Sequence, residues 1–260
     1  MEFADTKALV IGTGISGLSA VSLLERKGAQ VILFDANEKL KHADVKVKLK
    51  ADNQAQIVIG TLPEGLLDTV DLVIPSPGVP MDIPMMLEIR RREIPVWGEI
   101  ELGYRCGQGS IAAITGTNGK TTTTTLVGQI LKNYNPHTYV VGNIGMPYAD
   151  VADGMEPDAM TAAEISSFML ESIVEFHPKV SAILNITPDH LNRHHTMDNY
   201  IAAKERIAEN QTKADTCVLN YDDEVLRAYG ENCPADVPYT MRSRWTTTGV
   251  SMNTSVPYRT

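Results

Sequence analysis

The chain has 260 residues, 43% of them hydrophobic and 21% charged, the proportions of a soluble globular protein, not of a disordered or fibrous one. Its 32 acidic against 23 basic residues leave a net charge of −9, which opposes nucleic acid and anionic lipid at long range and confines anion binding to local basic pockets. Cys106, Cys217 and Cys233 have neither metal-ligand nor disulfide spacing, no apolar run reaches the ~18 residues of a membrane span, and the N-terminus is charged where a signal peptide is apolar. Isolated thiols in a cytoplasmic protein, with neither nucleic acid nor membrane as partner, are the expectation.

Short runs of Val, Ile and Leu alternate with segments of helical period, the pattern of parallel strands joined by crossover helices. The first series predicts strands over 7–11, 31–34, 56–59 and 71–74, a helix over 15–27, and a last extended segment at 95–97. Pro75, Pro77, Pro80 and Pro84 punctuate a loop, each removing a donor and restricting its predecessor. The second series predicts strands over 110–115, 138–141, 159–164, 180–184 and 216–219, with helices over 120–133 and 198–210. Gly103, Gly107 and Gly109 cluster between the two series and predict a hinge over 102–109. The expected fold class is α/β, with an N-terminal Rossmann-like parallel-sheet domain over 1–102 and a P-loop α/β ATPase-type domain, incomplete at its C-terminus, over 103–241.

ITGTNGKTTTTTL, residues 114–126, sits at a strand-to-helix junction. Gly116 and Gly119 let successive amides turn toward one anion, the new helix directs its positive end there, and Lys120 adds a cation. Thr121 places a hydroxyl where a Mg²⁺ bridging two phosphates takes a ligand. The general pattern has a glycine five residues before Gly119, where this chain has Ile114. A second loop, GTGISG at 12–17, has the dinucleotide spacing: Gly12 for the turn, Gly14 for phosphate approach, Gly17 for helix packing, and Asp35 closing the next strand. Two phosphate loops on consecutive α/β units imply two nucleotides, which disfavours a simple NAD-linked oxidoreductase and leaves a non-catalytic nucleotide-binding module among the alternatives.

Three residues invite a magnesium reading. Glu164 ends a strand at the edge where open α/β sheets bind ligands, and His190, beside Asp189, follows the next strand. Lys204 lies on a helix with Ile201 and Ile207, where a buried ammonium needs an anionic partner or a modification. Glu164 can equally serve the helix that follows it, and His190, His194 and His195 lack the further ligands of a zinc site. Arg90, Arg91 and Arg92 read as a solvated helix face, and Glu99 with Glu101 defines no acid–base pair.

In combination GTGISGLS, PSPGVP (75–80), GEIEL (98–102), TGTNGKTT (115–122), GNIGMP (142–147), EISSF (164–168), NITPDHLNRH (185–194), YIAAKERI (200–207) and NYDD (220–223) resemble the Mur ligase family, in its D-glutamate-adding branch. The resemblance covers residues 3–241. It implies ATP-dependent ligation of D-glutamate to UDP-N-acetylmuramoyl-L-alanine through an acyl phosphate, by a monomer. It implies that Gly14, Ile15, Ser16, Asp35, Ser76, Pro77, Gly78 and Asn143 meet the uridine substrate. Gly116, Thr117, Asn118, Gly119, Lys120, Thr121 and Thr122 would hold ATP. Thr121, Glu164, His190 and Lys204, the last carbamylated, would serve two Mg²⁺ ions, with Lys120, His190 and Lys204 catalytic. The chain departs from the family at Asn192, usually Asp, and Met169, usually Gln.

From 242 to 260 Arg, Ser and Thr make 11 of 19 residues, with no apolar period. The expectation is an aberrant or disordered tail translated out of the family's frame. On that expectation the family's C-terminal glutamate-binding domain is absent and complete ligation by these residues is impaired.

Overall fold

In the computed structural model, which describes residues 3–49 and 52–241, two parallel sheets succeed each other along the chain. The predicted tail at 242–260 lies outside the described residues. The first unit comprises β1 (Lys7–Ile11), α1 (Ile15–Arg26), β2 (Gln30–Asp35), α2 (His42–Lys48), β3 (Gln56–Ile59), β4 (Leu72–Pro75) and α3 (Pro84–Arg91), with sheet order β3-β2-β1-β4. The extended segment at 95–97 joins through a parallel bridge from Val96 to Val73. Alternation sorts the apolar residues of β1: Ala8 and Val10 pack with Leu23, Leu24 and Leu33, while Leu9 and Ile11 pack with Ile32, Phe34, Met86 and Ile89. Burial on both faces is why β1 reads as a continuous apolar run.

The second unit comprises α4 (Glu99–Cys106), β5 (Ser110–Thr115), α5 (Lys120–Tyr134), β6 (Thr138–Gly142), α6 (Tyr148–Val151), β7 (Met160–Glu164), α7 (Ser167–Leu170) and β8 (Val180–Ile183). It continues with α8 (Leu191–His194), α9 (Met197–Glu205), β9 (Thr216–Asn220), α10 (Glu224–Gly230) and β10 (Tyr239–Thr240), in the all-parallel order β10-β9-β8-β5-β7-β6. β5 therefore lies between β7 and β8, and their following loops leave adjacent strands at one edge. α5 sits close on this sheet because position 128 is glycine; a Cβ there would stand 2.4 Å from the Val140 side chain. Of the threonines that open α5, Thr124 is buried against the sheet while Thr121, Thr122 and Thr125 are exposed. The helix expected over 198–210 breaks after Glu205 into a 3₁₀ turn, Arg206–Ala208.

The glycines expected to form a hinge do something else. Gly103 lies within α4, where a Cβ would meet the Tyr148 ring at 2.6 Å, and Gly109 takes a left-handed φ against the Ala159 carbonyl. Small residues here permit close packing, so α4 is buried. Its acids are anchors: Glu99 accepts the Ala149 amide at 2.7 Å, and Glu101 accepts the Val174, Glu175 and Phe176 amides at 2.9–3.1 Å. The thiols are not all isolated either. Cys217 and Cys233, distant in sequence, are free but hydrogen-bonded to each other, which raises the first and lowers the second. Among the described residues no helix is long and apolar enough to cross a membrane.

Burial raises the Glu99 carboxyl to about 7, against the Ala149 amide, which favours the anion, and with Asp150, which does not. The folded state thus keeps a proton that an unfolded carboxyl releases near 4.5, so the stability contributed here is present below that pH and is lost as pH rises toward 7. Glu99→Gln should gain on the wild type by up to ~3 kcal/mol between pH 4.5 and 8, measured by urea denaturation at each pH. A pH-independent difference would contradict this assignment.

Candidate nucleotide-binding sites

Both glycine loops fold as their spacing requires. Gly12 takes φ 102° with Ser76 above it, and a Cβ on Gly17 would stand 2.0 Å from the Gly12 carbonyl, so only glycine lets α1 approach β1. Gly14 caps α1 with open space above it, and exposed Ile15 and half-buried Ser16 begin the helix. Asp35 organises the loop from β2: Oδ2 accepts the Thr13 amide (3.0 Å) and hydroxyl (2.7 Å), and Oδ1 accepts the Asn37 amide. Burial raises its pKa, but these bonds outweigh it and hold the carboxyl below its ordinary value. Ser76, followed by Pro77 and Gly78, donates its amide to Ile11 and so lies beside Gly12. The first loop is thus an array of amides at a helix N-terminus, suited to a phosphate.

The second loop leaves β5 with Gly116 at φ 146° and Gly119 at φ 83°. It is braced by the strand-end segment after β8: the Thr117 amide donates to Asn185, the Asn118 amide to Asn185 Oδ1, and Asn185 Nδ2 returns to the Asn118 carbonyl. The Thr117 hydroxyl bonds Thr187 and lies 3.1 Å from the Tyr200 hydroxyl. Sequence reasoning missed Tyr200 as a brace and took Asn185 and Thr187 only as parts of a motif. Their signal was position, immediately after a parallel strand. Lys120 Nζ donates to the Thr117 carbonyl at 2.9 Å, and Thr121 and Thr122 are exposed on the first turn of α5.

Glu164 ends β7 in register with Ile114 and Gly142 and is 1% exposed. Oε1 accepts Asn143 Nδ2 at 2.9 Å, while Oε2 is buried without a hydrogen-bond partner. A buried, unmatched carboxylate oxygen is costly, and a cation or donor supplied by a ligand satisfies it. Lys204, on α9, is 2% exposed and donates to the Gly116 carbonyl at 2.8 Å. Burial, then the charge of Lys120, lowers its pKa to about 7, so the amine is substantially unprotonated at neutral pH.

The histidines do not converge. His190 is exposed in a left-handed conformation, its ring 4.9 Å from that of Phe168. His194 is buried, bonds Ser167 at 3.0 Å, and is held below its ordinary pKa by that burial. His195 pairs with Asp82. Among the described residues no three His, Cys, Asp or Glu side chains form a metal cluster. Met169 is buried in α7, and Asn192 is exposed on α8. Arg91, at the end of α3, and Arg92, which caps it, are exposed and paired with Glu88.

These features define an α/β protein with a glycine-rich loop at the carboxyl edge of each of two parallel sheets. A model of the Mur ligase middle domain matches residues 114–243, and one of the MurD-like N-terminal domain of Mur ligases matches 6–98. The chain belongs to the Mur ligase family. The UDP-N-acetylmuramoylalanine–D-glutamate ligase of Lachnospira eligens is 57% identical over 91% of this chain and 52% of its own, and that of Lachnoclostridium phytofermentans is 53% identical over the same shares. The chain thus spans about half the length of these curated relatives. Among solved structures, the UDP-N-acetylmuramate:L-alanyl-gamma-D-glutamyl-meso-diaminopimelate ligase of Neisseria meningitides superposes with a TM-score of 0.56 at 15% identity, covering 90% of this chain and 77% of that one. At that identity the likeness establishes the fold.

Gly17→Ala and Gly14→Ala separate packing from binding in the first loop. The former should lose ~1–3 kcal/mol of unfolding free energy through overpacking. The latter should stay within ~0.5 kcal/mol of wild type while weakening binding of a uridine diphosphate, as read by urea denaturation and calorimetric titration.

Proposed function

We propose that this chain carries the uridine-substrate and ATP sites of an ATP-dependent amide ligase that joins D-glutamate to UDP-N-acetylmuramoyl-L-alanine. The observation that carries the reading is one convergence: the glycine loop after β5, the unpartnered Glu164 Oε2, and Lys204 Nζ on the Gly116 carbonyl. The names of the relatives that share both units support the choice of substrates. The reading is of a monomer working in the cytoplasm.

Such a ligase must bring a substrate carboxylate beside the γ-phosphate of ATP, two anions that repel each other. Gly116, Thr117, Asn118 and Gly119 present amides to the ATP phosphates, and Lys120 exchanges the Thr117 carbonyl for a phosphate oxygen. Thr122 closes the cradle. Mg²⁺ fits the donor set, since Thr121 offers a hydroxyl and Glu164 a buried oxygen with no other partner. Thr121 and Glu164 would hold one ion and His190 a second. Bound there, Mg²⁺ supplies Lewis-acid neutralisation of phosphate charge. Lys204 joins CO₂ through its unprotonated amine, releasing a proton and turning a buried cation site into a carbamate anion that supports the metal. Gly14, Ile15 and Ser16 bind the pyrophosphate of the uridine substrate. Asp35, Ser76, Pro77 and Gly78 border it, and Asn143 meets the muramoyl group. The carboxylate attacks the γ-phosphate to form an acyl phosphate and release ADP; the amine of D-glutamate then displaces phosphate.

Thermal melting tests the reading: Mg·ATP and UDP-N-acetylmuramoyl-L-alanine should each raise the midpoint, by ~2.7 kcal/mol of stabilisation at a hundredfold excess over Kd. Stabilisation by NADH alone would overturn it. Lys120→Ala should lose the ATP response and keep the uridine response. With ¹³C-bicarbonate at pH 8, a carbamate resonance should appear in the wild type and be missing in Lys204→Ala; its absence from the Mg·ATP-bound wild type would remove the carbamate from the mechanism.

A further inference from the structure

The two units touch at both ends of α1. At its C-terminal end Arg26 donates to the Ala149 carbonyl, and Arg26 and Lys27 pair with Asp153. At the loop end contact depends on a short segment with two left-handed residues, His190 at φ 51° and His195 at φ 67°. Such conformations are unfavourable for a non-glycine residue and persist only where surrounding contacts over-determine them. Between them Arg193 points into the other unit. Its Nη2 donates to the Val79 carbonyl at 2.8 Å and to Glu171 at 2.5 Å, and Nη1 lies 3.4 Å from the Gly78 carbonyl.

The same guanidinium lies over the Phe168 ring at 5.0 Å, and Phe168 packs on the rings of His190 (4.9 Å) and His194 (5.5 Å). His194 in turn packs on Tyr200, whose hydroxyl meets Thr117 in the ATP loop. On the other side, Val79 donates its amide to the Ser76 carbonyl, and Ser76 donates to Ile11 beside Gly12. A planar, always-charged fork holding two carbonyls of one unit and a carboxylate of the other is geometrically demanding.

We propose that Arg193 is a positioning residue that couples occupancy of the uridine loop to affinity at the ATP loop. The proposal rests on the reading of these loops as uridine and adenine nucleotide sites. A uridine ligand that orders Ser76, Pro77 and Gly78 fixes the carbonyls that Arg193 holds. Arg193 then holds Phe168, His190 and the Thr117 brace in the arrangement that receives ATP phosphates. The coupling is reciprocal, as any linkage between two binding equilibria must be.

The test uses UDP-N-acetylglucosamine, which has no acyl chain to reach the ATP site, and a fluorescent Mg·ADP analogue. In the wild type, saturating uridine ligand should tighten the analogue by ~5-fold or more. In Arg193→Ala and Arg193→Lys both ligands should still bind, but that ratio should fall below ~2-fold. Asp153→Asn, at the far end of α1, should keep the wild-type ratio. Should Arg193→Ala not fold, Arg193→Lys carries the test, since it keeps a cation opposite Glu171 but loses the fork. Wild-type binding of both ligands without coupling, an unchanged ratio in Arg193→Lys, or an equal loss in Asp153→Asn would each overturn the proposal alone. A wild type that binds neither ligand would overturn the reading of the loops and the proposal with it.

Discussion

The constraint on which the candidate site depends is the parallel alignment of β5 with β7 on one side and β8 on the other. Parallel strands end at the same edge, so the glycine loop, Glu164 and the Asn185–Thr187 brace meet there although they are scattered over about seventy residues of sequence. The edge also receives the positive end of α5. Helix-mediated crossovers fix this geometry before any ligand arrives.

Charge is handled differently inside and at the edge. Glu101 is buried, but backbone amides and Arg105 satisfy it, which makes it an anchor for α4. At the ligand edge the balance is incomplete. Glu164 keeps one oxygen without a partner, and Lys204 has a carbonyl for company instead of an anion. Structural acids closed and edge groups open is the distribution expected where a ligand completes the electrostatics.

The parallel-strand series and both glycine loops were legible because their signals are local: apolar runs of strand length, and glycines where φ is positive or a Cβ has no room. What misled was equally local. Gly103, Gly107 and Gly109 read as a hinge, yet a glycine that permits a loop and one that permits close packing are the same letter, and only the neighbour decides. Tyr148, forty-five residues beyond Gly103, is that neighbour. Short α6, α8 and α10 escaped for a related reason: four to seven residues show too little period to register, and caps such as Thr196 and Asp223 are recognised only once their amide partners are placed.

By itself the sequence determined the fold class, the two glycine loops and the charged and polar residues beside them, because backbone conformation and residue chemistry are local properties. Tertiary structure alone decided which of them act together. It set Lys204 on Gly116, left one oxygen of Glu164 free, turned His194 inward, sent His195 to Asp82, and joined the units through Arg193. The physical reason is distance along the chain: these pairings span from twenty-seven to more than a hundred residues, and nothing in a local pattern encodes which distant carbonyl or carboxylate a side chain will meet.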